Sequence, residues 1–387
     1  MPDTDTSLIV ALPDFLTWQS GNDLTRSACK NHVHYVYRQV KQWSNHADTD
    51  LLQLITSLPR SSQQRLLLAP RVYRMLRANS EPGTDEIDSF KQFLDLERYL
   101  CKQDGQGPRG SWTALGDFYL APEEPVEEHA PASASNLSFR GETFRAPKVG
   151  NIVLDAFRPF TKTDFPSPLG EASNHTPEEL ELITSRLEQS LEQINKISPT
   201  ARTAIDALVQ VISLVRAPQS MKGTQSFSNK PVIGRMGLAN ADSDRWSINK
   251  IADAIVHETI HALIYKIELT NCLYLDDLIE SEPLKIVSPW SGRALPLHSF
   301  VHACFVWFGL WSFWRLASPE DAEAAALRSR AGHGFLTGHP LACIPDEARD
   351  RIRPQVLHAI DRMYKEVTAS VNNPAVESHL DSTVAMH

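Results

Sequence analysis

Ser247-Ile-Asn-Lys-Ile-Ala-Asp-Ala-Ile-Val-His-Glu-Thr-Ile-His-Ala-Leu-Ile-Tyr-Lys-Ile267 decides how this chain is read. No Pro or Gly interrupts it, Ser247 is a side-chain N-cap, and Ile248, Ile251, Ile255 and Leu263 recur at helical spacing to make one buried stripe. His257 and His261 are one helical turn apart, so their imidazoles stand one above the other on a largely buried element. A buried imidazole pair needs partners to offset its desolvation. One metal ion serves both rings, with Glu258 beside it as acid, base or ligand; hydrogen bonds to two core histidines are the alternative.

The rest of the chain bounds the function. With 387 residues, 42% hydrophobic and 22% charged, it is long enough for one large domain or two ordinary ones. A net charge of -9 and a pI near 5.9 argue against a nucleic-acid footprint or an anionic membrane surface, and leave small molecules or a peptide as partners. The N-terminal Met-Pro-Asp-Thr-Asp-Thr lacks the basic and apolar regions of a signal peptide. Cys29, Cys101, Cys272, Cys304 and Cys343 are scattered, with no Cys-x-x-Cys pair, which fits a reducing cytoplasm. Phe300–Leu316 is apolar but short for a bilayer, and it carries His302 and Arg315, so it is read as a buried helix.

Periodicity predicts helices near 24–44, 47–57, 62–78 and 84–102, making residues 1–104 a helical N-terminal region. Arg71, Arg74 and Arg77 on the third of these are read as a solvated face rather than a patch for an acidic peptide. Residues 105–150, with Gly105-Gln-Gly-Pro-Arg-Gly110 and the Pro/Glu-rich run Pro122–Pro131, are expected to be a loop or linker. The catalytic region is 151–387. Ile152–Leu154 predicts a strand, and Thr176-Pro-Glu-Glu179 predicts a capped helix start. A second helix is expected from Pro199 to Arg216, and an extended segment over Pro231–Ala239. The surroundings of His333 and His339 read as a loop, and a long amphipathic helix runs to about Val371.

A third ligand separates the reaction classes. Glu280 and Glu282 are placed as in a thermolysin-type protease, although Pro283 would end a helix there. After His261 the chain reads Ala-Leu-Ile-Tyr-Lys-Ile, which excludes a metzincin-type third His. His298 and His302, one turn apart at the start of the aromatic helix, are the remaining candidates.

Gly237-Leu238, the helix ending Val256-His-Glu-x-x-His261, then Ser288-Pro-Trp290, an Arg, Pro296-Leu297, His302 and Phe313-Trp-Arg315 resemble a known family. It is the HExxH-motif proteins of peptide-modifying gene clusters, the alpha-ketoglutarate-dependent HExxH-type peptide beta-hydroxylases. The resemblance is specific over roughly 228–316. It implies an iron enzyme that hydroxylates the beta-carbon of a side chain in a ribosomally made precursor peptide, using Fe(II), alpha-ketoglutarate and O2. His257 and His261 match the family's metal-binding pair, and His302 the histidine opening its aromatic helix. Ser291 and Gly292 separate Pro-Trp from Arg293, a departure from the family's pattern.

Iron oxygenases need a face of three protein ligands that leaves room for alpha-ketoglutarate and O2. The cosubstrate's distal carboxylate calls for a bidentate cation, for which Arg293 is the nearest candidate and Arg235 the second. His298 and Trp290 complete the expected cofactor pocket, Trp290 as a wall. The chain is therefore expected to be a mainly α metalloenzyme with a few short strands and the HExxH helix in its core. The alternatives are a zinc metallopeptidase in which Glu258 activates water, and a metal-free protein that presents a peptide.

Overall fold

Pro70, Pro177, Pro199 and Pro354 each stand at the first position of a helix, where the missing N–H costs no hydrogen bond. The computed structural model describes residues 7–46, 50–78, 82–102, 107–121, 143–156, 175–216, 225–270, 273–275 and 284–372. Helices α1 (Ser7–Phe15), α2 (Asp23–His46), α3 (Leu51–Thr56), α4 (Arg60–Leu67), α5 (Pro70–Ala78) and α6 (Thr84–Lys102) come first. Strands β1 (Ser111–Trp112), β2 (Phe118–Leu120), β3 (Thr143–Arg145), β4 (Lys148–Val149) and β5 (Ile152–Asp155) follow. The middle holds α7 (Pro177–Ile197), α8 (Pro199–Leu208), β6 (Val211–Val215), β7 (Gln225–Ser228), β8 (Arg235–Ala239) and α9 (Ile248–Glu268). Then come β9 (Lys285–Val287), β10 (Ala294–Pro296), α10 (Leu297–Arg315), α11 (Ala322–Leu336), α12 (Asp346–Arg349) and α13 (Pro354–Asn372). The fold is mainly α with a few short strands, as expected.

Two units emerge, one of Met1–Leu24, Asn195–Ala201 and Ile267–His387, the other of Thr25–Ile194 and Arg202–Lys266. They cut across the division expected from composition. In the segment expected as a linker, the described residues form an antiparallel sheet, β1-β2-β3, while Pro122–Pro131 lies outside them. Trp112, Tyr119 and Phe144 share ring contacts at 5.1 and 5.6 Å on that sheet. Asp117, at its turn, accepts from Thr113 Oγ1 at 2.7 Å, from Lys148 Nζ at 2.8 Å and from both terminal nitrogens of Arg65. Arg65 Nε also bonds Glu97 at 3.0 Å, so α4, α6 and the sheet meet on one guanidinium.

The same unit holds a five-stranded sheet, β4-β5-β6-β8-β7, with β5, β6 and β8 parallel and both edges antiparallel. The segment after Leu208, expected as the end of a helix, instead leaves α8, and Val211–Val215 becomes β6: Val211, Ile212 and Val215 are β-branched, and the strand is buried at every position. Register pairs Asp155 with Ser213 and Ser213 with Gly237, so these lie on one sheet face with Arg235, while Ser226 and its partner Leu238 lie on the other. Phe227 is registered with Gly237, and its ring fills the space where a Cβ of Gly237 would stand. The loop from β8 to α9 is held by Arg186, which donates to the carbonyls of Ala241, Asp242 and Ser243, and by Asn240 in the left-handed region (φ 54°). Lys266 is fully buried with Nζ 3.3 Å from His32 Nδ1, and burial pulls its ammonium below the usual lysine range.

In the other unit α10 is buried along almost its whole length, with Phe300, Phe305, Phe308 and Phe313 in the core. Among the described residues no helix is long and apolar enough to cross a membrane. Trp18, in the left-handed region at φ 61°, donates from Nε1 to Gly309 O at 2.7 Å. His333 lies within α11 rather than in a loop, because Asp321 caps a continuous Ala-rich run. The expected helix at 62–78 is two, α4 and α5, broken before Pro70, since proline disfavours helical backbone in the residue preceding it. Helix α1 carries no sequence signal strong enough to predict it.

Candidate metal centre

α9 starts where the sequence says it should. Lys250 N donates to Ser247 Oγ at 3.1 Å and Ile251 N to Ser247 O at 3.0 Å, so Ser247 is the N-cap. The apolar stripe, including Ile251, Ile255 and Leu263, is buried at 1% exposure or less. This leaves His257 and His261 on a half-buried face, their ring centroids 5.0 Å apart and inclined by 55°. The His257 side chain is 28% exposed, so a ligand from solvent can reach it.

Glu258, next to His257 in the sequence, is buried, 2% exposed. Ser226 Oγ on the antiparallel edge strand β7 donates to its Oε1 at 2.7 Å, and that oxygen lies 4.0 Å from His257 Nε2. Glu258 Oε2 is buried without a hydrogen-bond partner among the described residues. A buried carboxylate oxygen left unsatisfied is costly, and at a histidine pair it is an open position for a water or a proton. The donor set, two imidazoles with a fixed carboxylate beside them, fits a transition ion.

A second donor set lies in the other unit. Glu268 is the last residue of α9, and its Oε1 is 2.9 Å from His298 Nε2 and 3.1 Å from His302 Nε2. These side chains are 3%, 15% and 1% exposed. Burial alone would push the Glu268 carboxyl up, but the charge of His302 and the hydrogen bonds from His298 and His302 outweigh it and hold it well below the usual range. Among the described residues this is the group of three whose ligand atoms all lie within 4.8 Å of one another. His302, expected to complete the His257/His261 set, and His298, expected in the cofactor pocket, are thus both engaged with a glutamate that sequence reading passed over. The available signal was the spacing of His257, His261, Tyr265 and Glu268, which share one helix face. Ser226 gave no sequence signal at all.

The other expected residues take different places. Arg235 is on the sheet face opposite Ser226 and Glu258, so it is corrected from a cosubstrate anchor at the histidine pair to a buried arginine. Burial pushes its guanidinium down to about 9, and that of Arg71 to about 10, with Asp155 opposing both. Arg71 and Arg74 therefore turn inward, half-buried, and only Arg77 of that row is solvated. Arg293 is exposed on the hairpin turn joining β9 and β10, with Gly292 at φ 66° ahead of it. Trp290 anchors the same hairpin: its Nε1 donates to Ala331 O at 2.9 Å and its ring stacks on Trp307 at 6.2 Å. Glu280 and Glu282 lie outside the described residues.

No protein-family model matches this chain, and no curated protein matches it in sequence.

Proposed function

We propose that the protein is an Fe(II)- and alpha-ketoglutarate-dependent oxygenase that hydroxylates a side chain of a peptide. The observation that carries the metal centre is the half-buried His257/His261 pair beside Glu258, whose second oxygen is buried and unsatisfied. The choice of chemistry is supported by the resemblance of residues 228–316 to peptide beta-hydroxylases. His257 and His261 would hold the iron, which when bound supplies the one-electron chemistry needed to activate O2. The balance is one C–H and one O2 with alpha-ketoglutarate, giving C–OH, succinate and CO2.

The chain's own part is positioning. Ser226 fixes the rotamer of Glu258 by donating to Oε1, which leaves Oε2 to accept a hydrogen bond or hold a proton at the site. The buried stripe of α9 keeps both imidazoles on one face, so neither has to be ordered when the ion binds. The same free oxygen on Glu258 also suits a general base, which favours a zinc metallopeptidase as the second reading.

The test is anaerobic reconstitution of the apoprotein with Fe(II) or Zn(II), addition of alpha-ketoglutarate and a peptide encoded beside the gene, and admission of air. Succinate with a mass gain of one oxygen supports the proposal. Peptide cleavage with zinc and no cosubstrate overturns it in favour of hydrolysis.

A further inference from the structure

We propose that Glu268, His298 and His302 form a second metal site, distinct from the His257/His261 centre, that takes a divalent transition ion on a face of two imidazoles and one carboxylate. Ligands occupying adjacent octahedral positions about 2.1 Å from an ion stand about 3.0 Å apart, whereas tetrahedral ones stand about 3.4 Å apart. The separations of 2.9 and 3.1 Å from Glu268 Oε1 to His298 and His302 Nε2 match two edges of an octahedral face, and all three ligand atoms lie within 4.8 Å of one another. The His298 and His302 rings, one turn apart on α10, have centroids 4.3 Å apart and present Nε2 to the same oxygen.

Helix polarity adds an independent argument for a cation. Glu268 ends α9, where the helix dipole disfavours negative charge. His298 and His302 both lie within the first two turns of α10 and reach the same carboxylate. A divalent ion held here would meet the negative charge of a carboxylate that is only 3% exposed. Two nitrogen donors select a transition ion over Mg2+ or Ca2+, which take oxygen. His298, 15% exposed, is the side by which the ion enters. The bound ion ties residue 268 to the start of α10, and Tyr274 OH supports that turn by donating to His298 O at 3.4 Å.

The test is titration of the metal-free protein with Co(II), read by visible absorption and by metal analysis of the desalted protein, with circular dichroism as the check on folding. Wild type is expected to bind two equivalents, H298A, H302A and E268Q one each, and the H257A/H261A double variant one. H298A, at the partly exposed position, remains informative if H302A fails to fold. One equivalent in wild type, lost in H257A/H261A and unchanged in H298A, overturns the second site while leaving the proposed iron centre standing. One equivalent that is lost on either set of substitutions also overturns it. One equivalent retained in H257A/H261A and lost in H298A supports this site and removes the basis of the proposed function.

Discussion

Replacing Gly237 with Ala tests the packing of the edge strand that carries Ser226. The glycine has no positive φ to require it, so a β-carbon is sterically admissible for the backbone. An ideal Cβ, however, would stand 2.1 Å from Phe227 Cζ and 2.5 Å from its Cε1 and Cε2. Carbon atoms pack at about 3.5–4.0 Å, so the ring has to retreat by roughly 1.4 Å or more. Overpacking of this size costs about 1–3 kcal/mol, and the lost freedom of the unfolded glycine returns about 0.4–1 kcal/mol. The expected net loss is about 1–2 kcal/mol, read from the midpoint of urea unfolding. Phe227→Ala in the G237A background should remove the collision, so the double-mutant cycle should show a favourable coupling of about 1 kcal/mol or more. Because Phe227 follows Ser226 in β7, peptide oxidation should fall in G237A and recover in the double variant. A stability change under about 0.3 kcal/mol for G237A, or additive single changes, refutes the reasoning.

Three further outcomes follow from neighbouring features. Gly334→Ala should cost about 1–3 kcal/mol and alter tryptophan fluorescence, because its Cβ would stand 2.4 Å from a Trp290 ring already held by Trp307 and the Ala331 carbonyl. Ser226→Ala leaves Glu258 Oε1 buried without its donor and should cost about 1–3 kcal/mol in thermal unfolding; an unchanged melt contradicts the assignment. Burial would raise the Asp117 carboxyl, but Arg65 and Lys148 hold it well below the usual 3.9 or so. Its contribution is therefore complete above about pH 4 and lost as pH falls toward the folded value, while Asp117→Asn, costing about 3–5 kcal/mol at neutral pH, should lack that acid loss. An identical acid limb in both proteins sinks this reading.

The helical elements that sequence reading recovered are those with local instructions. α9 has an N-cap serine and an uninterrupted apolar stripe, and α7 has a reciprocal box in which Thr176 N donates to Glu179 Oε2 at 2.8 Å. β6 was misread because an apolar β-branched run following a helix does not announce where the period changes from 3.6 to 2. In the site, His257, Glu258 and His261 were legible from spacing within one turn. Glu268 meeting His298 and His302 was not, since the partners lie 30 and 34 positions apart and only tertiary packing joins them. Arg235 was misjudged for a related reason: a strand places successive residues on opposite faces, and which face met α9 depended on the β7 register.

Among the described residues, half-buried Cys29 in one unit and buried Cys304 in the other make the cysteines a clock. Cys304 is fully enclosed in α10, where burial raises its thiol out of the reactive range. Cys29, on α2, donates to Ala207 O, and its thiol is likewise raised by burial. Exposed Cys101 and Cys343 should be alkylated at once, so the slow phases of a labelling time course report how often each unit opens. Equal slow rates at Cys29 and Cys304 would mean that the helices shared by the two units make them breathe as one body. Unequal rates would give each its own lifetime.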